Sequence, residues 1–450
     1  MISMNMKVSR RWLFWGLFSI FALFLILRYM LMIYFSSLIF VAILAMIAFV
    51  GDRDEILATC VCCIPLSMTF QYYYVIAICM VMYLCKYGKD IRLNFSFVPI
   101  LLIIIWELGH CFSDNTSPKE WIVMMIPYML LVWLFSARNI QSVDYNLIVR
   151  SFSAMVLCLC VVLLGRLFIL SDYNINTAFL NMQRLGLNEE NVNELVINPN
   201  SLGIWCVLAA SGLNQLRMNR VKRDKKAGDV ILMVMILVLG ALTISRTYLA
   251  CLIIMFAYIF MISKGIKKKA VYLGGFAVIS IVGLVLLYIL FPAVLEFFGY
   301  RLQLDDITGG RGALFAQYND YLLSSPRALL WGTGSLRMKE KVVFQDAIAS
   351  NVPHNGIQEI LVAWGIPVLI LFIALVFAFI RSSRRENPKQ MAINYLPLLI
   401  IFVKIQVGQL VTSPYTLLAM AFAYISLCQN FSTCTGQSQT DYGSVNPNTD

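Results

Sequence analysis

Long apolar segments follow one another along almost the whole chain, and they decide what it can fold into. A helix needs roughly 20 mostly apolar residues to span a bilayer, and the chain holds about 12–14 such segments. Lipid offers no partners for backbone N–H and C=O groups, so each spanning segment is predicted to be a helix. The predicted fold class is therefore an all-α polytopic membrane protein with about 12–14 transmembrane helices.

The predicted spans form one membrane domain over residues 1–430, with a large periplasmic or extracellular loop at residues 293–355. They are residues 11–28, 31–50, 56–69, 71–86, 95–110, 119–136, 146–171, 199–217, 229–245, 247–263, 270–291, 356–380, 392–409 and 412–428. Long excursions between helices usually carry function, which draws attention to the loop. The last segment, residues 431–450, is rich in Ser, Thr, Asn, Gln and Gly and is predicted to be a disordered cytoplasmic tail.

The composition excludes a water-soluble protein. Hydrophobic residues make up 60% of the chain and charged residues only 13%, whereas soluble domains carry about 25% charged residues. Most of the 12 cysteines lie inside apolar segments, where Cys packs as a small hydrophobe. Residues 293–355 contain no cysteine, so a disulfide-built loop is excluded there. The sequence shows no motif for a metal or a cofactor, and none is expected.

The basic residues predict the orientation of the chain. If the N-terminus is cytoplasmic and the helices alternate, most of the 35 Lys and Arg residues fall in cytoplasmic loops, including the runs Arg217–Lys226 and Lys267–Lys269. Both termini are then cytoplasmic, and the loop 293–355 lies outside. The net charge of +11 is explained by this topology and by attraction to membrane lipid. Because the basic runs are short loops between apolar spans, nucleic acid is not an expected partner.

Two arginines are predicted at the outer ends of helices. Arg246 lies in the short break between the apolar segments 229–245 and 247–263. There it either binds an anion or extends to the lipid headgroups. Arg311 lies in Thr308-Gly-Gly-Arg-Gly-Ala313 and begins the helix-like stretch Arg311–Leu323. Exposed amides at a helix start together with a guanidinium suit a phosphate group. The segment is not a P-loop, because no Gly-Lys-Ser/Thr follows.

A histidine precedes the span that follows the large loop. The chain has two histidines, and His354 lies beside this polar loop in Val352-Pro-His-Asn-Gly-Ile-Gln-Glu359. A neutral imidazole there can accept a proton from a sugar hydroxyl, with Glu359 orienting it. The alternative is that Asn355 simply caps the helix, and the two roles are compatible. The other histidine, His110, follows Glu107 at the end of a span and is interpreted as structural.

A third polar group lies ahead of the span 199–217. Asn198-Pro-Asn200 is a good helix start on the outer side. Arg184, in the loop before it, either adds to an outer anion site or is a solvated loop charge. We favour the anion site.

The order of these elements resembles the O-antigen polymerase and O-antigen ligase superfamily of bacterial envelope glycosyltransferases. The resemblance runs from Arg184 to about Val376 and depends on the order of short elements. These are Arg184, Asn198-Pro-Asn200, Ser245-Arg246, Gly310-Arg311, Gly332-Thr-Gly334, His354-Asn355 and Gly365-Ile-Pro367.

The resemblance implies an enzyme of the bacterial inner (plasma) membrane whose substrate is an undecaprenyl-diphosphate-linked oligosaccharide. Arg184, Arg246 and Arg311, together with Asn355, would bind the substrate, and His354 and Glu359 would be catalytic. No metal is implied. A chain-length regulator, or co-polymerase, is a possible partner.

Three activities remain open at this point. A polymerase transfers the growing glycan (O-antigen, capsule or exopolysaccharide) to a lipid-linked repeat unit, whereas a ligase transfers it to lipid A-core or another acceptor. We favour the polymerase, because the N-terminal third is divergent, as in polymerases of this kind. A polysaccharide flippase or other transporter predicts internal repeats and charges near the bilayer midplane. The sequence shows no repeat, and its informative charges lie at helix ends.

Overall fold

The computed structural model describes the chain except for short gaps. The described residues are 2–66, 71–91, 97–137, 140–181, 183–186, 197–219, 227–263, 265–303, 311–336, 338–342, 352–382, 388–408 and 414–429. The predicted tail, residues 431–450, lies outside them. Within the described ranges the chain is helical and forms no strand; Ile91 and Ala137 form an isolated bridge.

Most helices overlap the predicted spans, but the span predicted at residues 56–69 forms only a short helix, Arg53–Cys62, and the span predicted at residues 392–409 is divided at Tyr395. The helices are α1 (Ile2–Leu25), α2 (Leu38–Val50), α3 (Arg53–Cys62), α4 (Gln71–Tyr87), α5 (Val98–Ser113), α6 (Pro118–Ser136), α7 (Tyr145–Leu170), α8 (Ile175–Leu180), α9 (Pro199–Asn219), α10 (Ala227–Ala241), α11 (Arg246–Ile262), α12 (Ile266–Leu290), α13 (Pro292–Gln303), α14 (Arg311–Ser324), α15 (Pro326–Trp331), α16 (Met338–Lys341), α17 (Gly356–Ser382), α18 (Pro388–Asn394), α19 (Leu396–Gln406) and α20 (Pro414–Cys428). Arg11–Met30, Tyr145–Leu170 and Gly356–Arg381 are long and apolar enough to cross a bilayer, and several shorter helices are strongly apolar. The all-α membrane fold class is confirmed.

One span begins later than predicted. Residues 31–50 were expected to be helical, but α2 starts at Leu38 after a turn of π-helix at Ile26–Met30. The Arg28 side chain holds this connection. Its guanidinium donates to the carbonyl oxygen of Phe35 and lies 5.4 Å from the ring centre of Tyr34. The apolar composition continues through residues 31–37, so hydropathy alone does not reveal the turn.

Helix α9 lies at the centre of the bundle. Side chains on all of its faces are buried from Ser201 to Leu216, as expected of a helix surrounded by other helices. It packs against α7, α10, α11 and α19. The start of α9 is therefore the middle of one end of the bundle, and its C-terminus is the middle of the other.

A buried polar network connects helices at the C-terminal end of α9. The Tyr145 hydroxyl donates to Gln215 Oε1 at 2.6 Å, and Gln215 Nε2 donates to Asn394 Oδ1 at 2.7 Å. Nearby, Arg150 pairs with Asp229 at 2.8 Å. This intramembrane charge has its partner within the bundle, so its structural role is accounted for.

At the other end of the bundle, called here the loop end, α17 is broken at Gly365 (φ +75°). Pro367 has no N–H, so it cannot donate to the carbonyl of Ala363 four residues earlier. The N–H of Gly334 donates to that carbonyl instead, at 2.8 Å, and Thr333 donates to Val362 at 2.9 Å. The loop segment after α15 thus takes over backbone bonds that the broken helix cannot make.

Candidate functional site

Arg184 links two helix starts at the loop end. Its Nε donates to the Thr243 carbonyl and its Nη2 to Asn200 Oδ1, both at 2.8 Å. Thr243 lies in the tight turn between α10 and α11, whereas Asn200 is the second residue of α9. The guanidinium therefore fixes the start of α9 against that turn.

Arg246 is placed by the same turn. It is the first residue of α11, and the preceding Ser245 caps the helix by accepting from the N–H of Tyr248 at 3.2 Å. Gly203 of α9 allows this approach, because a Cβ there would lie 2.8 Å from Tyr248 Cβ and 3.5 Å from Ser245 Cβ. The structure thus brings Arg184 and Arg246, which are 62 positions apart in the numbering, to one turn.

Lys404 adds a third cation at this end. It lies in the last turn of α19, is 92% buried, and lines a small void with Ser201 of α9. We call Arg184, Arg246 and Lys404 the cation cluster. Lys404 was not predicted as a site residue, since nothing in its own segment reports that α19 ends beside the start of α9.

The start of α17 meets the same end of α19. Asn355 caps α17, because its Oδ1 accepts from the N–H groups of Ile357 and Gln358 at 3.0 and 3.1 Å. Its Nδ2 donates to the carbonyl of Gln406, the last residue of α19, at 3.1 Å. The capping interpretation of Asn355 therefore agrees with the geometry. His354, one residue earlier, is half-buried, and Glu359, in the first turn, is fully buried.

Arg311 begins α14, as the sequence predicts, and this helix ends at Ser324. The Arg311 side chain and residues 308–310 lie outside the described residues. Helix α14 itself is held to α17, because Gln358 Nε2 donates to the Phe315 carbonyl at 2.8 Å and to Asn319 Oδ1 at 2.9 Å.

A second group of polar residues at the loop end was not predicted. The carboxyl group of Glu107 on α5 is buried and accepts from the backbone N–H of Ser335 at 3.3 Å. It also accepts from the Ser335 hydroxyl and from Trp364 Nε1. One carboxyl group thus joins α5, the large loop and α17.

Next to Glu107, the ring of Trp106 stacks on that of Trp331, with centroids 5.1 Å apart and planes 11° from parallel. His110 Nε2 lies 2.9 Å from the Trp331 carbonyl. From the sequence, His110 was interpreted as structural; its partner Trp331 lies more than 220 positions away. The local signal was Trp-Glu-x-x-His at a helix end, which puts all three side chains near one face of the helix.

Comparison with known proteins identifies one matching family. Residues 231–373 match the family model described as O-antigen ligase. The segment runs from α10 into α17 and includes Arg246, Arg311 and His354, whereas Arg184 precedes it. A search of curated proteins gives no match.

Proposed function

Because residues 231–373 carry a domain of the O-antigen polymerase and ligase superfamily, we propose that this membrane protein is a polysaccharide polymerase. It transfers a growing glycan from undecaprenyl diphosphate to a lipid-linked repeat unit, at the outer face of the bacterial inner membrane. The polymer is an O-antigen, a capsule or an exopolysaccharide.

The cation cluster is the observation that carries this proposal. The bond broken joins the anomeric carbon of the donor sugar to a phosphate oxygen, and its electron pair leaves with the diphosphate. Cations already fixed in position stabilise that developing negative charge most effectively. The Arg184 guanidinium is fixed by two hydrogen bonds, and Arg246 begins α11 at the turn to which Arg184 is bound. Arg311 is proposed to complete the diphosphate site.

The acceptor side of the reaction is assigned to the start of α17. The acceptor hydroxyl oxygen attacks the anomeric carbon, and His354 takes the hydroxyl proton. Glu359 orients the imidazole, and Asn355 holds the start of the helix against α19. The half-buried position of His354 beside the large loop supports this role, since the acceptor glycan has to reach the residue from outside the bundle.

Charge reversal tests the diphosphate site. Arg246→Glu and Arg311→Glu are expected to abolish long-chain polysaccharide while the protein is still made and inserted. Arg381→Glu is the matched control, because Arg381 is an exposed arginine near the other end of α17. Wild-type chain lengths in both variants reject the diphosphate site.

The ligase is the second candidate, because the matching family model is itself described as O-antigen ligase. A deletion strain separates the two activities. Loss of a polymerase leaves single repeat units attached to their acceptor, whereas loss of a ligase leaves long chains on the carrier lipid.

Purified protein in detergent separates both enzymes from a transporter. A polymerase lengthens lipid-linked oligosaccharide under these conditions, although no compartment exists to transport across. A flippase or a non-catalytic scaffold leaves the oligosaccharide unchanged, and that result rejects the proposed function.

A further inference from the structure

A cavity of about 700 Å³ opens between the end of α5 and the loop helices α14 and α15. Its volume is within the range of small-molecule sites, about 300–1,000 Å³. No member of the cation cluster lines it, and neither does His354. The side chains that matter here are those of Trp106, His110, Tyr321, Arg327, Trp331 and Lys341.

Two stacked indoles form an aromatic wall of the cavity. Trp331 remains 58% exposed although it stacks on Trp106. The stack fixes the orientation of the ring, so little side-chain entropy is lost when a ligand packs on it. The C–H-rich face of a pyranose ring is apolar and flat, and it suits such an indole.

The cavity carries little net charge. Lys341 Nζ is 2.7 Å from both carboxylate oxygens of Asp114 and 2.8 Å from the Thr333 carbonyl, so its charge is balanced. Arg327 is exposed, and no ion pair is found for it among the described side chains. One cation in a wide cavity is a poor match for a diphosphate but suits a hydroxylated ligand, with or without an acidic group.

Hydrogen-bond donors and acceptors are both present. A carbonyl oxygen only accepts, so His110 Nε2 must donate to Trp331, which leaves Nδ1 as an acceptor in the neutral ring. Burial raises the pKa of Tyr321 above its ordinary value, so the phenol stays protonated and can donate. A sugar hydroxyl can both donate and accept a hydrogen bond, so it can pair with the acceptor on His110 and the donor on Tyr321.

On the basis of the proposed function, we propose that this cavity is a saccharide subsite. It binds sugar residues of the lipid-linked glycan at a place separate from the diphosphate site. The cavity adjoins the segment after α15, which binds α17 at Val362 and Ala363, whereas the end of α19, the helix that carries Lys404, meets α17 at Asn355. A glycan bound in the cavity therefore contacts Gly332 and Thr333, in the segment that is hydrogen-bonded to the helix that follows His354.

Calorimetric titration of the purified full-length protein in detergent tests the subsite. The probe is the reducing oligosaccharide released by mild acid from the lipid-linked repeat unit of the source organism. Trp331→Ala is expected to weaken binding about tenfold, since it removes the apolar stacking surface. Trp331→Phe should retain most of the affinity. Leu330→Ala is the matched control, because Leu330 is exposed on the same short helix and does not line the cavity.

Kinetics add a readout that a misfolded variant would not give. Trp331→Ala and Arg327→Ala should raise KM for the lipid-linked acceptor or donor severalfold and leave kcat nearly unchanged. Wild-type protein that does not bind the oligosaccharide, or a Trp331→Ala variant with wild-type affinity, overturns the subsite. Quenching of Trp331 fluorescence by brominated phospholipid, without oligosaccharide binding, identifies a lipid-filled cavity and also overturns it.

The two proposals fail separately. If the protein binds the oligosaccharide through Trp331 but never lengthens a lipid-linked chain, the polymerase is wrong and the subsite stands. If the protein makes polymer and Trp331→Ala changes neither KM nor affinity, the subsite is wrong and the polymerase stands.

Discussion

At the residue scale, Arg184 acts through two hydrogen bonds that only a guanidinium makes together. Lysine has the charge but not the planar fork that reaches the Thr243 carbonyl and Asn200 Oδ1 at once. We expect Arg184→Lys to insert normally and to reduce polymer synthesis about 10–100-fold, as misplacement of a positioning group does. In vitro chain extension with purified protein measures this effect.

A double-variant comparison with Asn200 tests whether this residue holds Arg184 in position. Asn200→Ala removes the acceptor at 2.8 Å and should impair activity nearly as much as Arg184→Lys, and the double variant should be no worse than either. Additive losses would mean that the two residues act independently. In that case Arg184 does not owe its position to Asn200.

Glu107 is a second residue whose contribution can be measured. Its buried carboxyl group accepts three hydrogen bonds. Glu107→Gln replaces one accepting oxygen by an NH₂ group, which would face one of these donors. We expect a loss of about 2–3 kcal/mol in the free energy of unfolding, measured as a lower thermal midpoint in detergent. Glu120→Gln, at an exposed position, should change the stability by less than about 0.5 kcal/mol. Equal midpoints for the two variants would contradict this role.

The difference between Arg184 and Glu107 shows what sequence can reveal about single residues. Arg184 was predicted because it lies in the loop ahead of Asn198-Pro-Asn200, and Arg246 because a charge at a helix end stands out against an apolar background. Glu107 also has that signal, but its partners Ser335 and Trp364 lie 228 and 257 positions away. No local pattern reports such a pairing, so the Glu107 group and the cavity beside it emerge only from the fold.

At the element scale, the glycines of two short motifs meet each other. Gly332 has φ +77° and ψ −173°, and Gly365 has φ +75° and ψ −174°, a region that is essentially restricted to glycine. A Cβ on Gly332 would lie 2.3 Å from the Ala363 carbonyl oxygen, and one on Gly365 would lie 2.5 Å from that of Leu330. Gly332 is needed for α17 to approach the end of α15, and Gly365 is needed for α15 to approach α17.

Either glycine is therefore expected to be intolerant of alanine. An L-residue held in this region costs about 1–3 kcal/mol, and the backbone clash adds to that cost. Gly332→Ala and Gly365→Ala should release residues 326–336 from α17, which hydrogen–deuterium exchange detects as faster exchange at Thr333 and Gly334. Gly274→Ala, in open space on α12, is the matched control and should leave exchange unchanged. Unchanged protection in Gly332→Ala would contradict the contact.

The helices themselves were predictable, but their irregularities were less so. Apolar length is a strong signal, and the helix at Arg311 was predicted almost to its end. The break in α17 was missed, although Gly365-Ile-Pro367 contains the two residues that interrupt helices. An uninterrupted apolar run hid the break, because hydropathy does not record missing backbone donors.

At the scale of the whole molecule, the two ends of the bundle differ in chemistry. The starts of α9, α11 and α17 and the end of α19 meet at the loop end, whereas the starts of α7 and α10 meet at the other end through Arg150 and Asp229. The basic runs predict that this other end is cytoplasmic. The proposed function requires the loop end to face outward, so orientation decides whether the cation cluster can meet its substrate.

Impermeant maleimide labelling of spheroplasts tests this orientation. Leu323 is 78% exposed on α14, and Gly88 is exposed at the end of α4 with no neighbour near its Cβ position, so both accept a cysteine. In a cysteine-free background, Leu323→Cys should be labelled in intact spheroplasts and Gly88→Cys only after permeabilisation. The reverse pattern would put the cation cluster and His354 in the cytosol, away from an outward-facing lipid-linked glycan. A polymerase acting at the outer face could not then use them, and the proposed function would be rejected together with the topology.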